Sequence, residues 1–194
     1  SLRPANGDFG QWDPEPVPES TTSSTSWYAQ QNQNPWPGSP FTFAYLNNST
    51  KVISTMENFK TDHWESTSAK AWAGAWYTNN TNTESAVITY TASKAGTVAI
   101  ADNNKLKVIT GSGEYMIVQE SADGGFCPIY PTKGVWETKA LTAGETTLNV
   151  NTYVKAGDKL HLVYKSADGT WTHISTVPSV TFTPYDTDSD SLRP

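Results

Sequence analysis

Eight tryptophans give this chain its most conspicuous means of binding a ligand. Three stretches combine an indole with neutral hydrogen-bonding side chains: residues 30–38 around Trp36, residues 71–82 with Trp72 and Trp76, and residues 168–173 with Trp171. An indole offers a flat apolar face for stacking, and neighbouring amides and hydroxyls fix the orientation of a polar ligand. This combination predicts a surface that stacks against sugar rings and hydrogen-bonds their hydroxyl groups.

The predicted ligand-binding residues all come from these three stretches. They are Trp36, Trp72, Trp76, Tyr77, Asn79, Asn80 and Trp171. Trp72 and Trp76 are four residues apart, a spacing that puts both rings on one side of a helix or of a single strand. Such a pair suits a binding platform and equally suits burial, so both interpretations stay open. Trp27, Tyr28 and Trp136 are assigned to the core.

The acidic residues are scattered along the chain. They include Glu57, Asp62, Glu65, Glu84, Glu114 and Glu120. A glycosidase needs two carboxylates that face each other across a cleft, and nothing in the sequence around these acids marks such a pair. We interpret them as solvated surface acids and predict no catalytic residue. A small glycoside hydrolase or lyase is kept as a third hypothesis, with Glu57 and Glu65 as the acids to test.

Metal and cofactor chemistry finds little support in the residue spacing. His63, His161 and His173 lack the paired spacing of a metal-binding motif. Residues 186–190 resemble the start of a calcium loop, but that loop also needs glycine at its sixth position and glutamate at its twelfth. We predict no metal ligand and no cofactor, and leave open a structural calcium ion between loops. The single cysteine, Cys127, excludes an intramolecular disulfide.

The composition argues against several classes of partner. A net charge of −6 makes the chain a poor candidate for a nucleic-acid binder. Its two arginines, Arg3 and Arg193, both lie in a terminal Ser-Leu-Arg-Pro. The body therefore lacks the bidentate guanidinium that phosphate and carboxylate ligands favour. No apolar run reaches the roughly 18 residues that span a membrane, so no membrane insertion is predicted.

The elements that position these side chains are predicted to be β-strands. Residues alternate with a period of two in runs rich in Val, Ile, Thr and Tyr, such as 86–91 and 159–164. Turn signals recur every 8–12 residues or so, as is typical of a sandwich or barrel. We predict an all-β fold over residues 27–185, a single antiparallel β-sandwich of jelly-roll type. Residues 1–26 are predicted to be a Pro/Ser/Thr-rich linker and residues 186–194 an acidic tail.

Two segments of the chain are similar to each other. Residues 115–124 and 160–169 each read as a strand that ends in Ser-Ala-Asp-Gly. Since Asp-Gly is a strong hairpin signal, this similarity predicts two equivalent hairpins within one sandwich.

The second half of the chain resembles a known class of extracellular domain. The resemblance rests on Lys94-Ala95-Gly96 before a strand, on Cys127-Pro128-Ile129-Tyr130-Pro131 followed by Gly134-Val135-Trp136, and on Ala156-Gly157-Asp158 before another strand. These segments are similar to those of β-sandwich domains in bacterial extracellular polysaccharide-degrading proteins, among them carbohydrate-binding modules. The linker and the tryptophan content also resemble cell-surface starch-binding (amylosome) and cellulosome-type proteins.

This resemblance implies a bacterial extracellular or cell-surface location, with neighbouring modules as partners. It transfers no site residue, because the ligand residues of such modules lie in variable loops. Together with the tryptophans, it predicts non-catalytic binding of a neutral plant polysaccharide. Starch or maltooligosaccharide is the first ligand, and a β-glucan or xylan the second. The alternative is a structural spacer or adhesion domain of a surface protein, with its tryptophans mostly buried.

Overall fold

The computed structural model describes residues 19–22, 32–72, 75–78, 83–102, 106–141 and 148–185. Seventeen strands lie in these ranges: β1 Glu19–Thr22, β2 Phe41–Asn47, β3 Ile53–Thr55, β4 Asn58–Lys60, β5 His63–Glu65, β6 Ala69–Trp72, β7 Ala75–Thr78, β8 Glu84–Thr91, β9 Gly96–Ala101, β10 Lys107–Thr110, β11 Gly113–Glu120, β12 Phe126–Tyr130, β13 Lys139–Leu141, β14 Asn149–Val154, β15 Lys159–Ser166, β16 Thr172–Ser175 and β17 Ser179–Pro184. The described ranges contain no helix.

The strands form three antiparallel sheets. The largest has seven strands, in the order β12-β11-β15-β8-β2-β3, with β13 also paired to β11. A six-stranded sheet runs β10-β16-β7-β6-β5-β4, and a four-stranded sheet runs β1-β17-β9-β14. Because antiparallel neighbours are often joined by short turns, this arrangement agrees with the frequent turn signals of the sequence.

One apolar core joins the three sheets. It contains Ile88 and Leu162 from the seven-stranded sheet, Ile100 from the four-stranded sheet, and Trp64 and Ile174 from the six-stranded sheet. The seven-stranded sheet is therefore one layer of a sandwich, and the two smaller sheets together form the layer that faces it. The predicted all-β antiparallel sandwich is confirmed.

The seven-stranded sheet also carries apolar residues on its other face. Along β15, Leu160, Leu162 and Tyr164 belong to the core, whereas Val163 belongs to a second cluster. That cluster also contains Ala44, Val87, Met116 and Val118, with Leu46 and Ile53 packed against it. Since side chains alternate between the two faces of a strand, this cluster lies on the outer face of the sheet.

The first described strand lies within the predicted linker. Residues 19–22, predicted as part of the linker, form β1 and pair antiparallel with residues 179–182 of β17. The sequence Glu-Ser-Thr-Thr contains no apolar residue, but pairing at a sheet edge depends on backbone hydrogen bonds, which any such residue can supply. Residues 1–18, 23–31 and 186–194 lie outside the described residues, so the assignments of Trp27, Tyr28 and the acidic tail remain predictions.

The two Ser-Ala-Asp-Gly turns share their local chemistry. The Ser121 hydroxyl donates to Asp123 Oδ1, and the Ser166 hydroxyl donates to Asp168 Oδ1 at 3.4 Å. The glycine of each turn has a positive φ, 99° at Gly124 and 77° at Gly169.

The strands that these turns connect are not equivalent. The first turn closes the β11–β12 hairpin, but the second leads from β15 in the seven-stranded sheet to β16 in the six-stranded sheet. The prediction of two equivalent hairpins is wrong for the second turn, because partner choice depends on the sheet that receives the next strand.

Candidate functional site

A cleft with a volume of about 590 Å³ opens on the outer face of the seven-stranded sheet. Its size falls within the range of small-molecule and cofactor sites, about 300–1,000 Å³. Its floor is the second apolar cluster: Met116, Val118 and Val163 from the sheet centre, with Leu46 and Ile53 toward the edge. We call this site the Trp136 cleft, after the most exposed aromatic side chain that lines it.

Two aromatic rings form the walls of the Trp136 cleft. Trp136 is 62 % exposed and Phe126 is 45 % exposed, although both line an apolar floor. A contiguous exposed apolar patch with a polar rim marks an interaction site or a ligand-binding groove. The walls therefore offer stacking surface to a ligand that enters the cleft.

The prediction that Trp136 lies in the core is wrong. Trp136 belongs to the segment between β12 and β13, which folds back so that the backbone N–H of Gly134 donates to the Pro128 carbonyl at 2.8 Å. Gly134 adopts a φ of 80°, a conformation that favours glycine. The indole therefore lies on the connecting loop, where strand periodicity does not decide which way a side chain points.

The rim of the cleft is polar. Lys51, Glu137, Thr138 and Lys165 line it together with Asn48. The side-chain oxygen of Asn48 accepts a hydrogen bond from the Ser85 hydroxyl at 2.7 Å, which fixes the orientation of that amide. Ammonium, amide and hydroxyl groups around an apolar floor suit a ligand that is apolar on its faces and rich in hydroxyls at its edges.

A buried polar network supports the Phe126 wall. The Phe126 ring stacks over His161, with ring centroids 6.2 Å apart and planes at 24°. His161 Nε2 lies 2.8 Å from Glu120 Oε1, and its Nδ1 lies 2.8 Å from Thr89 Oγ1. Because a carboxylate can only accept, Nε2 donates to Glu120, and in the neutral ring Nδ1 accepts from Thr89.

This network combines hydroxyl, imidazole and carboxylate groups, as nucleophilic enzymes do. Thr89 and His161 are nevertheless 5 % and 2 % exposed, so a substrate cannot reach the hydroxyl. Burial lowers the pKa of His161, and the Glu120 carboxylate opposes that shift. The arrangement therefore positions the cleft wall and does not form a catalytic site.

Two of the predicted binding residues meet on the outer face of the six-stranded sheet. The Lys70 ammonium lies 5.9 Å from the ring centroid of Trp72 and 6.0 Å from that of Trp171. It also lies 3.9 Å from Glu65 Oε2. Along β6 the side chains of Ala69 and Ala71 are buried whereas Lys70 and Trp72 are half-buried, so the latter two belong to the outer face.

The neighbouring strand β5 and the residue before it, Asp62, complete this group. The Trp72 ring stacks on His63 with centroids 4.1 Å apart and planes at 22°, and its Nε1 donates to Asp62 Oδ1 at 3.3 Å. The hydrogen bond from His63, with a smaller contribution from Trp72, lowers the pKa of the Asp62 carboxyl. We call this surface the Lys70 face; it comprises Asp62, His63, Glu65, Lys70, Trp72 and Trp171.

Trp76 and Trp72 belong to different strands. β6 and β7 run antiparallel, and Trp76 is in register with Ala71 and Ile174, both buried. Trp72, by contrast, pairs with Ala75. The assumption that both residues lie on a single helix or strand is wrong, because the chain reverses between them. The Trp76 side chain is outside the described part of the structure, so its place in a binding surface remains a prediction.

The remaining predicted residues are not placed in either group. Tyr77 is in register with Lys70 and His173, but its side chain is outside the described part of the structure. Asn79 and Asn80 also lie outside the described residues. Trp36 is half-buried in the loop before β2, where its carbonyl accepts from the Ser39 backbone N–H at 2.9 Å.

A polar groove lies at the junction of β2–β3 with β4–β5. Glu57 and Glu65 both line it, together with Tyr45 and Asn58. Glu65 is already engaged by His63 Nε2 at 3.1 Å and by the Asn58 amide at 3.2 Å. The sequence singled out these two acids as candidates, and the structure brings both to the same groove.

The described ranges contain neither a metal-binding cluster nor a membrane-spanning helix. Within the described ranges, no group of three or more His, Cys, Asp or Glu side chains is arranged to hold a metal ion. The same part of the chain has no helix long and apolar enough to cross a membrane.

Comparison with known proteins gives distant structural likenesses. No family model matches the chain, and no curated protein matches it. The chain is similar to the CBM22-1 xylan-binding domain of Paenibacillus barcinonensis Xyn10C, at 12% identity and a TM-score of 0.36, over 61% of this chain and 88% of that chain. It is similar to a mutant of CBM29-2, a family 29 carbohydrate-binding module complexed with mannohexaose, at 13% identity and a TM-score of 0.36, over 79% of this chain and 97% of that chain.

A third similar structure is enzymatic. It is the enzymatically active domain of tailspike protein 4 of bacteriophage CBA120, at 12% identity and a TM-score of 0.34, over 80% of this chain and 22% of that chain. At such low TM-scores, and with binding modules and an enzyme side by side, these likenesses assign neither an activity nor a ligand.

Proposed function

We propose that this protein binds a neutral polysaccharide without cleaving it, and that the Trp136 cleft holds the sugar chain. The observation that carries the proposal is the pair of exposed rings, Trp136 and Phe126, above an apolar floor with a polar rim. Sugar rings have apolar C–H faces that stack on aromatic rings. Their hydroxyls then meet Asn48, Lys51 and Lys165 at the rim.

The first ligand we propose is an α-glucan such as starch or a maltooligosaccharide, and the second is a β-glucan or xylan. The chain is poor in charge, at 16 % of residues, so neutral hydroxyls and amides supply most of its polarity. Both ligand classes offer what the cleft can recognise. They differ in curvature, which a binding panel distinguishes directly.

The proposal extends to the protein's setting. We propose a bacterial extracellular or cell-surface location, where the polymer is accessible, and neighbouring modules as partners. Linked modules raise the apparent affinity for a repetitive polymer, because the second binding event becomes intramolecular.

Affinity electrophoresis of the full chain tests the proposal. Native gels would contain amylopectin, xyloglucan, mixed-linkage β-glucan, xylan or pectin. We expect retardation by amylopectin, reduced in Trp136→Ala and unchanged in Tyr153→Ala, whose side chain is 71 % exposed on the four-stranded sheet. Retardation by a β-glucan or xylan alone would change the ligand but not the function. Migration unaffected by every polymer would overturn the proposal in favour of the spacer or adhesion domain.

The polar groove with Glu57 and Glu65 favours one second candidate, a glycoside hydrolase. The full chain would be incubated with the same polymers and assayed for new reducing ends. We expect the wild type to release no more reducing ends than the double variant Glu57→Gln, Glu65→Gln. Release that the double variant lacks would establish hydrolysis in that groove.

A further inference from the structure

The Lys70 face is built like a binding surface but lies apart from the Trp136 cleft. We infer that it is a second sugar-binding surface, so that one copy of the protein engages two polysaccharide segments. The ligand class rests on the proposed function, whereas the site rests on the contacts among its own residues.

Trp72 is held rigidly in this face. His63 covers one side of its ring at 4.1 Å, and Asp62 accepts from its Nε1 at 3.3 Å. His63 is itself fixed between two carboxylates, with Nδ1 2.9 Å from Asp62 and Nε2 3.1 Å from Glu65. A ring that is already fixed loses little conformational entropy when a ligand stacks on it.

Lys70 joins the two indoles into one surface. Its ammonium lies about equally far from the Trp72 and Trp171 rings, at 5.9 and 6.0 Å. An ammonium has three N–H donors, and Glu65 at 3.9 Å engages one side of it. Trp171 is 42 % exposed. A sugar that stacks against Trp171 therefore meets a hydrogen-bond donor beside the ring.

The charges of the face favour a neutral ligand. The face carries one ammonium, on Lys70, and two carboxylates, on Asp62 and Glu65, so an anionic polymer would be repelled as well as attracted. Hydroxyl groups can instead accept from Lys70 and donate to either carboxylate. Flat indoles with both kinds of hydrogen-bonding partner at their edges suit a neutral glycan.

The two surfaces lie on opposite layers of the sandwich. The Trp136 cleft is on the outer face of the seven-stranded sheet, and the Lys70 face is on the outer face of the six-stranded sheet that packs against its inner side. A short oligosaccharide in one site does not reach the other. Two independent sites on opposite faces would cross-link separate polymer chains.

Calorimetric titration of the full chain with maltoheptaose, and in parallel with xylohexaose, tests this inference. We expect two oligosaccharides per protein in the wild type. The double variant Trp72→Ala, Trp171→Ala should bind one oligosaccharide, and so should Trp136→Ala. The triple variant should bind none. Tyr153→Ala serves as the aromatic control and should keep both. Wild-type protein should also cloud an amylopectin or xylan solution, which the one-site variants should not.

A variant that preserves both rings covers the case in which the double variant does not fold. Lys70→Met keeps the alkyl stem and removes the ammonium, and we expect at least about a fivefold weaker second site with the first unchanged. If the wild type binds one oligosaccharide per protein, and Lys70→Met and the double variant Trp72→Ala, Trp171→Ala still bind one, the second surface alone is overturned. Binding lost in those variants but kept in Trp136→Ala would support the Lys70 face and overturn the cleft. If the wild type shows neither heat of binding nor retardation with any glycan, the proposed function itself is overturned.

Discussion

At the scale of single residues, Trp136 is the side chain on which cleft binding depends most. Its ring is 62 % exposed, so its removal costs the fold little while removing the largest stacking surface of the site. We expect Trp136→Ala to weaken binding in the cleft by about tenfold or more, as removal of a central interface aromatic commonly does. Trp136→Phe should retain part of the affinity. Competition titration measures both, and an unchanged affinity in Trp136→Ala would remove this residue from the site.

Asp158 is a structural residue, and its substitution should affect stability instead of binding. It is 5 % exposed, and its carboxylate accepts from the backbone N–H groups of Ala122 at 3.0 Å and Lys155 at 2.8 Å. Asp158→Ala leaves these donors without their partner, which should lower the free energy of unfolding by about 1–3 kcal/mol. Urea unfolding measures the loss. Asp123→Ala is the matched control, because Asp123 is exposed and its carboxylate serves its own turn.

His161 gives stability a predictable pH dependence. Burial lowers its pKa below the ordinary value of 6.5, so between that lower pKa and 6.5 the unfolded chain binds more protons. Stability should therefore decrease as the pH falls from about 7.5 to 5, and His161→Gln should flatten the profile. Urea midpoints across this range measure the effect. A wild-type profile that rises toward acid would contradict the assignment.

Other titrating groups can be separated from His161 in that experiment. The pKa of His173 is also lowered by burial, so His173→Gln is measured alongside. Hydrogen bonds lower the pKa values of Asp62, Asp123 and Asp168 from 3.8. Protonation of those carboxylates therefore affects stability only at lower pH.

At the scale of elements, the close contact between β9 and β17 depends on one glycine. A Cβ atom at Gly96 would overlap the Thr183 carbonyl oxygen and lie 2.8 Å from a carbon of the Phe182 ring. We expect Gly96→Ala to destabilise the fold by about 1–3 kcal/mol, as overpacking does. Gly125→Ala is the control, since its nearest neighbours would be 3.4 and 3.8 Å away. Equal thermal midpoints for the two variants would show that β17 shifts without cost.

Because the chain reverses between β6 and β7, residue spacing alone does not tell which side chains share a face of the sheet. Within one strand, spacings of two and four residues keep side chains on the same face. Lys70 and Trp72 follow that rule on β6, but Trp76 belongs to the next strand and pairs with Ala71. Trp171 reaches the same face from a segment about 100 residues away, because β16 pairs with β7.

At the scale of the whole molecule, β1 ties the start of the chain to its end. Its four residues pair with β17 at the edge of the four-stranded sheet. Deletion of residues 1–22 should lower the thermal midpoint by several degrees, because about 1 kcal/mol corresponds to a shift of 2–4 °C in a chain of this size. Deletion of residues 1–18 retains β1 and should leave the midpoint unchanged. Equal midpoints for the two deletions would show that β1 adds no stability.

The sequence by itself determined the all-β class, the antiparallel sandwich and the absence of strong charge. The fold follows from local properties: a period of two, β-branched residues and frequent turns fix the kind of element. The sequence also predicted Trp72 and Trp171 as binding residues, and the structure brings both rings to within about 6 Å of the Lys70 ammonium.

Only the tertiary structure decided which aromatic rings share a surface. Trp136 reaches the cleft because its loop folds back over β12, and Phe126 stands beside it because β12 pairs with β11. Lys70 lies between Trp72 and Trp171 because β16, from a distant part of the chain, pairs with β7, which pairs with β6 in the same sheet. These neighbours are set by strand pairing and layer packing over long distances in the chain. No local sequence pattern encodes them.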